Sequence, residues 1–171
     1  NLTVPETYTK NTPLNLTNIV ISDPDSANVT ATLKLSNVAA GSLSTGTSGA
    51  VTSTFNAGTG TWIASGALAN VNALLAGVIF TPATNFAGAF TINASISDGV
   101  ASPLLGSKKF TVDAGLLLTS TPGNDILTGT SSTNDTVTYA SATGLVTVSL
   151  NITTQQNTIG AGLDNITKVE N

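Results

Sequence analysis

Nine carboxylates, five lysines, no histidine and no cysteine give this 171-residue chain a narrow chemical vocabulary. Asp23 and Asp25 stand two apart around Pro24. On a short loop that spacing aims both carboxylates at one point. A hard cation such as Ca²⁺ takes about six to eight oxygen ligands at about 2.3–2.6 Å, which clustered Asp, Asn and backbone carbonyls supply. Asp98 ahead of Gly99, Glu6 after Pro5, and Asp113 at the end of an apolar run are the acids that would complete such a site at one end of the fold. A second pair, Asp125 and Asp135, sits in the Gly/Ser/Thr-rich stretch from Ser120 to Gly144. The same residues also suit turns for backbone reasons alone: Asp-Pro opens a turn and Asp-Gly closes a hairpin. The sequence leaves both readings open.

Other chemistries are poorly served. Without histidine or cysteine neither a Ser-His-Asp nor a Cys-His arrangement exists, and thiolate metal sites and disulfides are excluded. A carboxylate pair for glycoside cleavage would need two acids about 5–10 Å apart in a groove with aromatic subsites. One Trp and two scattered Tyr do not provide them. The expectation is a protein that is not an enzyme. Net charge is −4, and the cations that dominate nucleic-acid affinity are too few for that partner. No apolar run approaches the ~20 residues of a membrane span. No basic-then-apolar leader opens the chain, and Asn1 with no methionine anywhere predicts a fragment or processed product.

The elements that must hold these acids alternate with period two. Asn28–Ser36 puts Val29, Ala31, Leu33 and Leu35 on one face and leaves Lys34 facing solvent. Similar runs are 15–22, 50–56, 77–81, 89–97 and 108–113, rich in β-branched and aromatic residues and separated by Gly, Pro, Asn and Asp. Residues 70–77 break the rhythm and predict a helical turn or two, with Asn70 as N-cap and Gly77 at the C-terminal end. Trp62 is expected in the core. Lys108 and Lys109 are expected on a solvated strand edge that discourages edge pairing, and nothing points a lysine inward beside an acid, as an isopeptide link would need. The expected class is all-β, an antiparallel Greek-key sandwich with a smaller β-rich C-terminal unit. The joint is expected near Asp113–Leu118, dividing the chain into 1–113 and 114–171.

The succession Ile21–Ser26, Gly60–Gly88 and Phe90–Val100 resembles the cadherin-like sandwich repeats of very large secreted bacterial proteins, over about residues 1–113. That resemblance implies an immunoglobulin-like Greek key and tandem extracellular modules of adhesins, and a similar Asp-x-Asp in those modules matches Asp23 and Asp25. From Thr121 onward the chain resembles the calcium-binding Gly/Asp nonapeptide repeats of RTX proteins, which implies type I secretion, a β-roll and Ca²⁺ held by turns. Gly123, Asn124 and Asp125 match one turn, with Leu127 as its inward residue. Thr133, Asn134 and Asp135 form a second copy without the glycines, and the two aspartates are ten residues apart instead of nine. Residues 136–151 and 162–171 resemble the segment that accompanies such repeats, a strand pair closing on Asp164 and Glu170.

Together these readings predict a noncatalytic, extracellular, calcium-binding structural or adhesive module of a bacterial surface or secreted protein. Its expected partners are neighbouring copies or domains of the same surface protein, surface glycans or host receptors. The alternative is a self-assembling subunit of a filament, surface layer or biofilm matrix, joined by strand addition. Charged residues are only 8% of the chain and mean hydropathy is +0.27, so little like-charge repulsion keeps copies apart.

Overall fold

The computed structural model describes residues 4–16, 19–130 and 134–171. The chain divides into two compact units, Asn1–Val112 and Asp113–Asn171. The regular structure of both is mainly strand, and the protein is all-β apart from one short α-helix and one 3-10 turn among the described residues.

The first unit carries β1 (Glu6–Thr9), β2 (Leu14–Asn15), β3 (Asn28–Leu35), β4 (Gly41–Leu43), β5 (Thr47–Ser48), β6 (Val51–Thr52), β7 (Thr54–Asn56) and β8 (Thr61–Ala67). Helix α1 (Leu68–Ala76) leads to β9 (Ile79–Pro82), β10 (Phe90–Ser97) and β11 (Leu104–Asp113). One sheet of six runs β1-β11-β10-β3-β8-β7, a second of three runs β2-β9-β4, and β5 and β6 form a small ribbon. In β3 the alternation is realised as read: Val29, Ala31, Leu33 and Leu35 are buried and Lys34 is exposed. Leu33 lies opposite Trp62 of β8 on one side and Ala94 of β10 on the other, both antiparallel.

One core takes side chains from both sheets and the helix. Trp62, Ile92 and Phe110 meet Leu43 and Phe80, and α1 adds Val71, Leu74 and Leu75. Phe90 stacks on Phe110 with centroids 5.0 Å apart, and Phe80 reaches Phe90 at 4.6 Å. The polar handles of the large aromatics are satisfied inside: Trp62 Nε1 donates to the Ser44 carbonyl at 3.0 Å and Tyr8 OH to the Gly88 carbonyl at 2.8 Å.

Three expectations for this unit are corrected. The helix begins at Leu68 and Ala67 occupies the N-cap, so Asn70 is not the cap. The Leu68 N–H donates to the Ala27 carbonyl at 2.9 Å, which supplies a first-turn partner without any side-chain cap. The expected strand over 15–22 ends at Asn15 (residues 17 and 18 lie outside the described residues), and 19–22 form no strand. The Asn72 amide takes the place of a strand neighbour there: its Nδ2 donates to the Ile21 carbonyl and its Oδ1 accepts from the Ile21 N–H, each at 2.9 Å. Finally, Lys108 is buried, not on a solvated edge, and its Nζ meets Glu6 Oε2 at 2.8 Å. Lys108 is two residues from Phe110 and so shares its inward face.

The second unit holds β12 (Leu117–Thr119), β13 (Ile126–Thr128), β14 (Thr136–Thr138), β15 (Gln156–Asn157) and β16 (Leu163–Thr167). β12 pairs with β14 and β13 with β16, both parallel, and β15 lies antiparallel to β16. Buried Leu127, Ile166 and Val169, with half-buried Leu118, Val137, Tyr139 and Val148 against them, form its small core. The run from Leu145 to Leu150 is not a strand; a lone bridge joins Val146 to Ile159. The Gln156 amide pairs with the backbone of Ser149, accepting at 2.8 Å and donating at 3.0 Å, so a side chain again replaces a ladder.

Candidate metal centre

The loop after Ile21 and the turn after β10 bring Asp23, Asp25 and Asp98 together, with one carboxylate oxygen from each lying within 4.8 Å of the others. Two oxygens bound to a single Ca²⁺ are at most about 5 Å apart, so the spread fits one ion. Local backbone bonding builds the cluster. Asp23 Oδ1 accepts from the N–H groups of Asp25 at 3.3 Å and Ser26 at 3.0 Å, which folds the loop back on itself. Asp98 Oδ1 accepts from Val100 at 2.9 Å and Ala101 at 3.1 Å, while Gly99 takes the positive φ of 83° that the turn requires. Ser26 Oγ donates to Asp98 Oδ2 at 3.2 Å and so ties the two segments together. Ser26 drew no attention in the sequence; its position one residue after Asp25 is the signal that was there.

The charges respond to this geometry. A hydrogen bond to Asp23, and then its charge, hold the Asp25 carboxyl above the usual range, with desolvation and Asp98 adding to the effect. The backbone N–H groups of Val100 and Ala101 hold Asp98 below it. Three carboxylates crowded on exposed and half-exposed loops repel one another, and a divalent cation between them removes that repulsion.

The other expected ligands lie elsewhere in their bonding. Glu6 is not brought to the trio; its carboxylate is held by Lys108. Asp113 is assigned by its contacts to the second unit, where its Oδ1 accepts from the Gly115 N–H at 3.3 Å. Asp125 accepts from the Thr121 N–H at 2.7 Å, the Thr121 hydroxyl at 3.0 Å and the Ser120 hydroxyl at 3.2 Å. Asp135 is fully buried and accepts from the Leu116 N–H at 2.6 Å, the Thr130 hydroxyl at 2.9 Å and the Thr130 N–H. These donors, the backbone N–H of Thr121 and of Thr130 first, hold both carboxyls below the usual range.

No family model matches this chain. Nor does any curated protein match it in sequence. The case for a function therefore rests on the residues themselves.

Asp164 extends the carboxylate network of the second unit. Fully buried, it accepts from the Asp125 N–H at 2.9 Å, the Tyr139 hydroxyl at 2.9 Å and the Thr158 hydroxyl at 3.1 Å. Burial and this hydrogen bond raise the Tyr139 hydroxyl above its usual pKa. Glu170 Oε2 accepts from the Asp135 N–H at 3.1 Å. The second unit thus uses its acids as internal acceptors that lock turns; in the first unit Asp23 and Asp98 do the same, and there three acids also face one another. No helix among the described residues is long and apolar enough to cross a membrane.

Proposed function

We propose that the chain is a noncatalytic, extracellular, calcium-binding structural or adhesive module of a bacterial surface or secreted protein, with the ion at Asp23, Asp25 and Asp98. The observation that carries this reading is the convergence of three carboxylates from two separate loops, their oxygens within 4.8 Å of one another, the span of a single coordination sphere. The strand orders β1-β11-β10-β3-β8-β7 and β2-β9-β4 support a cadherin/immunoglobulin-like Greek key for the first unit. Parallel pairing of short strands supports a β-roll-like, RTX-related second unit delivered by type I secretion. In this reading the ion stiffens the loops at one end of the sandwich, and neighbouring domains, surface glycans or receptors are the partners. Calorimetric titration with CaCl₂ tests it: one binding event in the wild type, weakened at least tenfold in Asp25→Asn, is expected. Heat indistinguishable from dilution in the wild type refutes it.

The second reading is a self-assembling subunit of a filament, surface layer or biofilm matrix. It is favoured by the apolar side chains that the second unit leaves in solvent: Leu117 is 65% exposed, Ile126 81%, Leu145 77% and Ile159 65%. Sedimentation over a hundredfold range of concentration separates the two readings, since a module stays monomeric and a subunit does not.

A further inference from the structure

Three strongly exposed apolar residues of the first unit gather beside the three aspartates. Val20, Leu104 and Leu105 are 78%, 73% and 74% exposed, and all three line a groove of about 560 Å³. Buried Ile19 and Ile21 and half-buried Ile96 extend its apolar wall, and Asp23, Asp25 and Asp98 line it as well. Its volume lies in the range of about 300–1,000 Å³ typical of ligand sites, and its make-up, apolar with a few convergent polar groups, is also typical. No lining residue is basic.

We propose that this groove takes an extended, apolar peptide segment of a partner protein whose lysine or arginine reaches the three carboxylates. Charge complementarity selects this occupant: the groove offers apolar surface along its length and carboxylates as its only charged groups, so a segment with a cationic residue buries both without stranding a charge. An acidic segment would meet like charge. A peptide strand advances about 3.3 Å per residue, so four residues span about 13 Å, which suits a groove of this size. Ca²⁺ and the cationic head compete for the same oxygens, so calcium acts as the release signal for this partner. The peptide site rests on the adhesive part of the function above, and only its release by calcium rests on the ion.

The test uses the whole chain and the peptide acetyl-Leu-Val-Leu-Lys-amide, with glutamine and glutamate versions as comparisons, followed by amide chemical shifts in chelator. Shifts at Ala94, Ala101 and Gly106 are expected with all three. The lysine peptide should bind about fivefold more tightly than the glutamine one, as expected for partly exposed ion pairs, and the glutamate one more weakly. Asp25→Asn should remove most of the lysine preference, and Leu105→Ser should weaken all three; both positions are exposed, so neither change threatens the fold. Saturating calcium should bring the lysine peptide down to the glutamine value. The proposal is overturned if the groove amides do not respond, if the three peptides bind equally, or if the same amides shift with protein concentration alone, which would assign the face to a second copy. Failure of the ion to bind shows separately in the CaCl₂ titration and leaves the lysine preference standing.

Discussion

At the scale of single residues, the hydrogen bond to Asp23, and then its charge, decide the behaviour of Asp25. Its pKa is raised in the folded state, so the native protein holds that proton more tightly than the unfolded chain. The ionised group therefore opposes folding at neutral pH, and the opposition fades as pH falls through the raised folded value. Asp25→Asn should raise the melting temperature at pH 7 in chelator, with the gain shrinking towards pH 4; in excess calcium the wild type should become the more stable of the two. A variant that melts below the wild type in chelator would show that Asp25 has a stabilising role of its own. The Glu6–Lys108 pair behaves differently because it is largely withdrawn from water. Removing one partner of a buried pair costs about 3–5 kcal/mol, and solvent contact at Glu6 brings the expectation for Lys108→Ala to about 2–3 kcal/mol. Lys108→Met with Glu6→Leu should recover most of that loss in denaturant titrations. The inward side of Lys108, though not its partner Glu6, was legible in the alternation itself: Phe110 lies two residues further along the same face. The doubled lysine suggested a solvated edge and outweighed the parity.

At the scale of elements, what the sequence showed and what it hid divide along the kind of partner each strand uses. β3, β9 and β10 have strand neighbours, and their alternation or apolar content marks them. The segments 19–22 and 145–150 also alternate, yet much of their local bonding is to side-chain amides, Asn72 with Ile21 and Gln156 with Ser149. An amide far away in sequence leaves no trace in the local pattern, so these segments read as strands. Asn72→Ala and Gln156→Ala each remove a pair of hydrogen bonds and should cost about 2 kcal/mol in the unit that holds them. A cost below about 0.5 kcal/mol in denaturant melts would mean that water replaces the amide without loss. The trio was legible to the same degree: Asp23 and Asp25 share one loop, and Asp98 was recognisable from its turn. Nothing local showed that Glu6 faces a lysine or that Asp125 and Asp135 face backbone donors.

At the scale of the whole molecule, the two units place their carboxylates in opposite situations, and acid should separate them. Asp125 and Asp135 are held below the usual value, so their contribution to stability is present above the unfolded value of about 4 and is lost as pH falls through their folded values. In the first unit Asp98 follows the same sign and Asp25 the opposite one, so their effects offset in part. On lowering the pH from 6 to 3, amide exchange at Leu116 and Thr130 should accelerate before the fluorescence of Trp62, the chain's only tryptophan, reports any change in the first unit. Loss of both signals at one pH would show that the units respond as one. The most direct measurement of the central claim is the set of backbone amide shifts between chelator and saturating Ca²⁺, because it shows which unit receives the ion. The N–H groups of Ser26, Val100 and Ala101 donate to the trio and should shift most, while those of Leu116, Thr121 and Thr130 stay in place. Shifts confined to residues 116–130, or none at all, would contradict a calcium centre at Asp23, Asp25 and Asp98.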